Sequence, residues 1–382
     1  MKCEKLFEII DSLNEKYIKI WEDVCNIESP TNYKEGVDKV GSYLIDFAKE
    51  KGYEVEVLKQ EVAGDVVCIT ANASSKEAPV CFSGHSDTVH PVGLFGTPAV
   101  RMDDEYIYGP GVMDCKGGIA ASLLAIEALI KCGYTKRPLM LLIQSDEEVG
   151  SSISGCETIK YICEKAKNAV AFFNTEGSLK GTAVIQRKGI LRYRFTITGA
   201  ALHSARCTEA SNAICEAAHK IIELEKMKDA DGLTCNCGII SGGTTANTVA
   251  AECTFTADIR FVNEKELGEA RAKVKEISEK VYVDGCTTKC EEISFRPAME
   301  KCEKNMALLS KMNEIYKECG LEQLQPRFCL SGSDAAYTTL SEIPTVDSIG
   351  VEGKNIHSKD EVARLSSLAE SAKRMAAVAY LI

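Results

Sequence analysis

The sequence predicts an α/β protein: a mixed, mostly parallel sheet flanked by helices, interrupted by an inserted α+β domain with an antiparallel four-stranded sheet and two helices. Three observations carry this. Val80-Cys81-Phe82-Ser83 and residues 139–143 and 169–173 are short apolar runs separated by helical patterns, the unbroken ones reading as strands covered on both faces. Residues 190–295 change grammar, to alternating strands in β-α-β-β-α-β order with both helices on one face. After Arg296-Pro297 the first grammar returns. At 382 residues the chain exceeds one ordinary core. The expectation is a discontinuous main domain, residues 1–187 and 298–382, that holds residues 188–297 as an insert of ordinary domain size.

Taken in order, residues 3–29 place Leu6, Ile9, Ile10, Leu13, Tyr17, Ile20, Trp21 and Val24 at helical spacing. Ser29-Pro30 is expected to close that helix, because the residue before proline is pushed out of the α region. Residues 33–51 repeat the pattern through Val37, Val40, Leu44, Ile45 and Phe47 and stop at Gly52. Residues 53–58 and 66–71 read as strands, and an apolar helix over 117–132 opens on two glycines soon after Asp114. In the insert, Leu191, Tyr193, Phe195 and Ile197 share one face of a strand over 190–198. A helix over 211–227, strands near 234–240 and 252–261, a charged helix over 264–281 and a strand over 286–295 follow. The return comprises a helix over 305–319, a strand around Thr345-Val346-Asp347 and a helix over 366–379.

A hydrophobic fraction of 45% and a charged fraction of 26% are those of a globular protein. The formal net charge of −11 argues against a nucleic-acid or anionic-membrane partner, and means that an anionic substrate must be met by locally placed arginines. Eighteen cysteines are scattered, with only Cys235-Asn236-Cys237 and Cys286 to Cys290 close together. They read as small apolar core residues of a reducing compartment rather than as a disulfide framework. Met1-Lys2-Cys3-Glu4 opens no apolar signal core and no run approaches a membrane span, so the expected location is cytoplasmic.

The candidate chemistry lies where apolar runs give way to small residues, the carboxyl edge at which α/β sheets collect ligand sites. His85 and Asp87, Asp114, the pair Glu147-Glu148, and Glu176 all stand at or near such junctions. Imidazole and carboxylate are zinc donors, and a catalytic site keeps one position for water. His85 and Asp87 are two apart and point the same way on extended backbone, so one can bind metal while the other holds the imidazole from behind. Glu147 and Glu148 are expected to diverge at a strand end, so one can bind metal while the other faces the substrate as a general base. Asp114 can bridge two metals. Singly, each reads as an ordinary loop or edge residue, and His357 as a surface histidine; four signals at predicted strand ends together favour a metal-dependent hydrolase. His219 reads as structural, His90 as loop packing with support of the ligand turn as the alternative, and His203, without local metal partners, as structural.

GHSDTV (84–89), GPGVMDCKGG (109–118), SDEEVGSS (145–152), NTEG (174–177) and IHSKDE (356–361) resemble, in order and over nearly the whole chain, the co-catalytic di-zinc metallopeptidase family. That family includes glutamate carboxypeptidase, acetylornithine deacetylase, succinyl-diaminopimelate desuccinylase, aminoacylase and peptidase T. Gly332-Ser333-Asp334-Ala335-Ala336-Tyr337, Asn247, Arg260 and Arg296-Pro297-Ala298 are similar to its folate-cleaving glutamate carboxypeptidase branch.

The resemblance implies a zinc-exopeptidase-like fold and two zinc ions per subunit, with cobalt or manganese suited to the same ligands. His85, Asp114 and Glu176 would bind one ion; Glu148, His357 and the shared Asp114 the other. Glu147 would be the general base for attack by zinc-bound hydroxide, and Asp87 would orient His85. The motif at His203 implies an oxyanion donor from the partner subunit's lid, which revises the structural reading and implies a homodimer through the insert. Asn247 and Arg260 would grip a terminal carboxylate, with Arg296, Gly332 and Ser333 on the substrate side. Glutamate at position 176 goes with carboxypeptidases and deacylases rather than aminopeptidases. The implied activity is release of a C-terminal amino acid, glutamate first, from an N-acyl or peptidyl substrate. Cys115 stands where methionine or another residue is usual, and the approach Cys329-Leu330-Ser331 departs from the threonine- and glycine-rich version. An N-acyl-amino-acid deacylase therefore stands as an alternative, and a catalytically idle metabolite-binding or assembly homologue as one of another class.

Overall fold

Residues 3–382 are described by a computed structural model; Met1 and Lys2 lie outside the described residues. The chain opens with two amphipathic helices, α1 (Glu4–Asn26) and α2 (Lys34–Glu50). Strands β1 (Glu54–Leu58), β2 (Val66–Ala71) and β3 (Val80–His85) lead to the short β4 (Arg101–Met102) and β5 (Tyr106–Tyr108). Helix α3 (Lys116–Lys131), β6 (Leu139–Gln144), α4 (Glu157–Ala166), β7 (Ala171–Asn174) and β8 (Thr182–Arg187) follow. Next come β9 (Gly189–Thr198), α5 (Ala213–Leu224), β10 (Thr234–Gly242), β11 (Glu252–Phe261), α6 (Glu264–Glu279) and β12 (Thr287–Arg296). The chain ends with α7 (Glu303–Cys319), β13 (Gln325–Cys329), α8 (Ala335–Leu340), β14 (Thr345–Asp347), β15 (Gly353–Lys354), β16 (Val362–Arg364) and α9 (Ser367–Leu381).

The described residues divide into two compact units. One comprises the chain up to Gln186 with Lys301–Phe328 and Ser333–Ile382; the other is Arg187–Glu300 with Cys329–Gly332.

The first unit is built on an eight-stranded mixed sheet of order β1-β2-β6-β3-β7-β14-β8-β13. Its centre, β6-β3-β7-β14, is parallel, whereas β1, β2 and β8 join antiparallel. The parallel strands end together: His85 pairs with Gln144, Ser83 with Asn174, and Asn174 with Asp347. Helix α3 is apolar almost all round and packs against α1, α9 and β3, as a helix with no polar face must. A small antiparallel sheet, β15-β16-β5-β4, pairs Val362 with Tyr108 and so brings the late loop carrying His357 beside the turn that carries Asp114.

The second unit is the antiparallel sheet β10-β11-β9-β12 with α5 and α6 packed against it. Leu191, Tyr193, Phe195 and Ile197 are buried on β9 while Arg192, Arg194 and Thr196 between them are at most half-buried, the alternation of a one-sided sheet. Phe195 stacks on Phe255 at 4.5 Å between centroids.

The fold class is that expected from the sequence, and several elements differ in detail. Helix α1 stops at Asn26, and Ile27 is already extended, before the proline acts. Glu147 and Glu148 lie on a short 3-10 turn, Glu147–Val149, rather than on a strand end. Helices α4 and α8, strands β8 and β13 and the small sheet lack a long enough periodic run to stand out in the sequence. None of the eighteen cysteines forms a disulfide, and only Cys207 and Cys215 are exposed. Among the described residues no helix is long and apolar enough to cross a membrane.

Candidate metal centre

Four peptide segments converge at the carboxyl edge of the parallel strands. His85 is the last residue of β3, Asp114 ends the turn before α3, Glu147 and Glu148 follow β6, and Glu176 follows β7. The turn at Asp114 is fixed from below by Trp21 of α1, whose indole N–H donates to the Val112 carbonyl at 2.9 Å. Gly118, in the first turn of α3, lies so close to the β7 loop that an added Cβ would stand 2.0 Å from the Thr175 carbonyl oxygen. A side chain there would displace the residue beside Glu176. This explains why the helix opens on glycine despite its cost in helix propensity.

The Asp114 carboxylate reaches in two directions. Its Oδ1 lies 3.0 Å from His85 Nε2 and its Oδ2 lies 3.1 Å from His357 Nε2. His85 Nε2 is also 3.8 Å from Glu176 Oε1, and His357 Nε2 is 3.1 Å from Glu148 Oε2. The carboxylate side chains of Asp114, Glu148 and Glu176 keep only 9, 5 and 12% exposure, while His357 keeps 51%. His357 has φ +61°, a left-handed conformation that is uncommon outside glycine and is maintained where the surroundings impose it.

Behind His85, Asp87 lies at the other ring nitrogen: Nδ1 is 3.3 Å from Asp87 Oδ1 and 3.0 Å from its backbone oxygen. Asp87 is itself anchored. It accepts the Thr31 hydroxyl at 2.8 Å and the N–H groups of Glu147 at 3.2 Å and Glu148 at 3.1 Å. One carboxylate therefore orients an imidazole and caps the turn that carries both glutamates.

The electrostatics are those of a site short of positive charge. Burial, then the charge of Asp114, pushes the Glu148 carboxyl up to about 8 and Glu176 well above its ordinary value. The Glu147 carboxylate adds to both effects. Burial opposes ionisation of Asp114, but hydrogen bonds to His357 and His85 hold it far below the usual range. Hydrogen bonds to Asp114 and Glu148 raise His357 to about 11. His85 is held well above its ordinary value by the Cys115 sulfur and the Asp114 and Asp87 carboxylates, against burial. Protons on such a cluster are those a bound cation displaces.

This donor set fits divalent-cation binding. Two imidazoles and three carboxylates are the nitrogen and oxygen ligands zinc accepts. The trio His85, Asp114 and Glu148 has ligand atoms within 4.8 Å of one another, and so has the trio His85, Cys115 and Glu176.

The residues singled out from the sequence fall into two groups. His85, Asp87, Asp114, Glu147, Glu148, Glu176 and His357 come together in the first unit. Ser333, also in that unit, is fully buried and donates its hydroxyl to Asp347 at 2.6 Å. His203, Asn247, Arg260, Arg296 and Gly332 belong to the second unit. There, exposed His203 bridges to Thr248, and the Ser204 N–H donates to the Asn247 carbonyl at 2.9 Å, so His203 and Asn247 are neighbours. Arg260 is held by Asp258, with Nε 2.6 Å from Oδ1. Gly332 packs on Arg296, whose Cδ would lie 3.0 Å from an added Cβ. His219 stacks on Tyr282 at 5.2 Å, as its structural reading expects.

Three participants were not read from the sequence. Thr31 is 56 residues from Asp87 and announces nothing by itself. The Cys115 sulfur accepts the His85 N–H at 3.0 Å, and burial pushes its thiol up to about 12. Arg187 of the second unit donates to the Ser331 hydroxyl at 2.9 Å and so holds the approach to Gly332. The departure from the usual motif at position 115 signals the second of these; the other two become visible only in three dimensions.

Comparison with known proteins follows the same lines. Residues 81–381 match the model of Peptidase family M20/M25/M40. Carboxypeptidase G2 of Pseudomonas sp. (strain RS-16) is 29% identical over 371 residues, covering 95% of this chain and 88% of that protein. Succinyl-diaminopimelate desuccinylase of Nitrosospira multiformis is 27% identical, covering 89% of this chain and 91% of that protein. Among solved structures, a tripeptidase from Staphylococcus aureus superposes with a TM-score of 0.80 at 20% identity, covering 96% of this chain and 98% of that one, a likeness of fold.

Proposed function

The chain belongs to peptidase family M20/M25/M40, and from that membership we propose a metal-dependent hydrolase that cleaves an amide bond and releases a C-terminal amino acid, glutamate first, from N-acyl or peptidyl substrates. The observation that carries this is Asp114, one oxygen at each of two histidines, with Glu176 and Glu148 at the far side of each. In this reading His85, Asp114 and Glu176 hold one zinc ion and Glu148, His357 and Asp114 the other, with cobalt or manganese able to replace zinc. Cations bound there supply Lewis-acid polarisation and a lowered pKa for water.

The chain's own groups do the rest. Glu147, buried beside the ligand carboxylates, takes the proton from the attacking water and returns it to the leaving amine. Asp87 fixes the ring of His85 so that Nε2 faces the centre. Residues 188–297 act as a lid and dimerisation domain, with His203 of a second copy donating to the carbonyl oxygen as charge develops on it. Asn247 and Arg260 receive the terminal carboxylate, a planar anion suited to a guanidinium, with Arg296, Gly332 and Ser333 shaping that end of the substrate. A small peptide or acyl-amino-acid substrate suits an acidic protein only through such local cations.

The likeness to a succinyl-diaminopimelate desuccinylase keeps a second reading, a deacylase of small N-acyl amino acids with the same site residues. Glu147 argues against an idle homologue, which has no use for a buried base beside metal ligands. The test is amino-acid release by zinc-reconstituted protein from substrates sharing one acyl group and varying the C-terminal residue across Glu, Asp, Leu, Arg and ornithine. Preference for Glu supports the carboxypeptidase reading. Preference for ornithine or an aliphatic residue moves the protein to the deacylase. Hydrolysis of only a free-amine dipeptide control overturns both.

A further inference from the structure

Four residues beyond His357 lies Glu361, a carboxylate with 1% exposure whose hydrogen-bond partners are main-chain N–H groups and His90. Its Oε1 accepts the N–H groups of Met113 at 2.9 Å and Asp114 at 3.1 Å. Its Oε2 accepts the Gly111 N–H at 3.1 Å and lies 3.0 Å from Nε2 of buried His90. The Glu361 backbone carbonyl also accepts the Gly109 N–H at 3.3 Å. A carboxylate removed from water is tolerated only when its lone pairs are met, and here three backbone donors and an imidazole meet them. The donors are not scattered. All three N–H groups belong to the turn that presents Asp114, and converging main-chain N–H groups form an anion-binding concavity.

The same residue is tied to the other side of the centre. The Glu361 N–H donates to the Ser358 carbonyl at 3.1 Å, and the Ser358 hydroxyl to the Asn355 carbonyl at 2.8 Å, closing the turn that carries His357. Asp114 and His357 are 243 positions apart in the chain, yet must meet at 3.1 Å. The contact thus depends on how two loops are held against each other.

We propose that Glu361 is a positioning residue of the centre: its carboxylate clamps the Asp114 turn to the His357 loop, so that one Asp114 oxygen faces His85 while the other faces His357. His90 completes the clamp by holding Oε2, with its ring edge-on to Phe95 at 5.0 Å. This rests on the metal-centre reading above and extends it to a residue without a bond to the ions.

Glu361→Gln is the informative variant. It keeps the volume but replaces one acceptor oxygen by an amide NH2 that points N–H at N–H. Wild type, Glu361→Gln, His90→Phe and the control Glu127→Gln, a buried carboxylate outside the centre, are stripped of metal. Zinc is then titrated against a chromophoric chelator, and cobalt is added to record the visible spectrum. Glu361→Gln is expected to lose tenfold to a hundredfold in zinc affinity, the size usual for residues that hold metal ligands in place, and to change the cobalt bands. His90→Phe is expected to lose less, in the same direction, and Glu127→Gln to bind as wild type does. Affinity within twofold of wild type for Glu361→Gln, with the wild-type cobalt spectrum, overturns the clamp. So does an equal loss in Glu127→Gln, which would make the effect one of general stability. If Glu361→Gln does not fold, His90→Phe decides, and unchanged affinity there overturns the proposal. A wild-type chain that binds no metal overturns the metal-centre reading and the clamp with it; a wild-type chain that binds two ions, with unaltered variants, overturns the clamp alone.

Discussion

The Thr31 hydroxyl donates to Asp87 Oδ2 at 2.8 Å, joining the loop after α1 to the carboxylate behind His85. Because Asp87 also accepts the N–H groups of Glu147 and Glu148, this one bond bears on both halves of the proposed chemistry. Replacing Thr31 by valine removes the donor and keeps the shape. A hydrogen bond to a charged group is worth about 2 kcal/mol, and loosened support for a metal-binding histidine costs about tenfold in metal affinity. We expect Thr31→Val to lose both, read by urea unfolding and by zinc titration. Unchanged zinc affinity with lowered stability would reduce Thr31 to a packing residue.

Glu147→Gln separates proton transfer from metal binding. The contact between this turn and Asp87 uses the backbone N–H of residue 147, which the substitution leaves in place. The ligand geometry should therefore persist while the base is lost. The expectation is a fall in kcat of about a thousandfold, with KM and zinc content near wild type. A variant that retains turnover would remove Glu147 from the mechanism.

The sequence shows the centre best where chemistry and strand ends coincide. His85, Asp114 and Glu176 each follow an apolar segment and precede small residues, a local pattern. Glu147 and Glu148 were legible as a pair, but their turn was not, since it depends on Asp87, in the loop after β3, accepting their N–H groups. The roles of Thr31 and Glu361 were illegible because their partners lie 56 and about 250 residues away; Glu361 closes the IHSKDE motif, but nothing local says which backbone donors it meets. Ser333 shows the converse. It sits in a recognisable motif, yet its hydroxyl is given to Asp347, a partner that sequence position does not suggest. The mixed sheet was legible from its apolar strands, whereas β4, β5, β15 and β16 are two or three residues long and carry no periodicity.

The close approach at Gly118 yields a stability test. An alanine Cβ there would stand 2.0 Å from the Thr175 carbonyl oxygen and 2.5 Å from its hydroxyl. Thr175 is pinned by its N–H and hydroxyl to the Ser83 carbonyl, at 2.7 and 2.8 Å, so it has little room to retreat. Gly118→Ala should cost about 3 kcal/mol by overpacking and weaken zinc binding through the adjoining Glu176. Gly268 in α6 is the counterpart, with nothing within 4 Å of an added Cβ. Gly268→Ala should stabilise by roughly 0.5–1 kcal/mol through helix propensity alone. Thermal melts of the two variants should move in opposite directions.

A pH dependence follows from Glu127 on α3, far from any role in catalysis. Its side chain, 4% exposed, accepts the Tyr17 hydroxyl at 2.7 Å and Lys16 at 2.8 Å through Oε2, and Lys51 at 3.1 Å through Oε1. Burial pushes the carboxyl up, but these bonds outweigh it and hold the pKa below its ordinary value of 4.5. A carboxyl with a lowered folded pKa contributes its full stability above the unfolded value and loses it as pH falls through the folded one. Lys16 is 41% exposed, so its share is screened by solvent. Glu127→Gln should therefore be less stable than wild type at pH 7, by about 2 kcal/mol for hydrogen bonds to a charged group. The gap should hold down to about pH 5 and close at lower pH, where wild type is protonated too. Urea denaturation of both proteins from pH 3 to pH 8 measures it directly. A gap that stays constant across that range would mean that shape, not charge, is what the buried glutamate supplies.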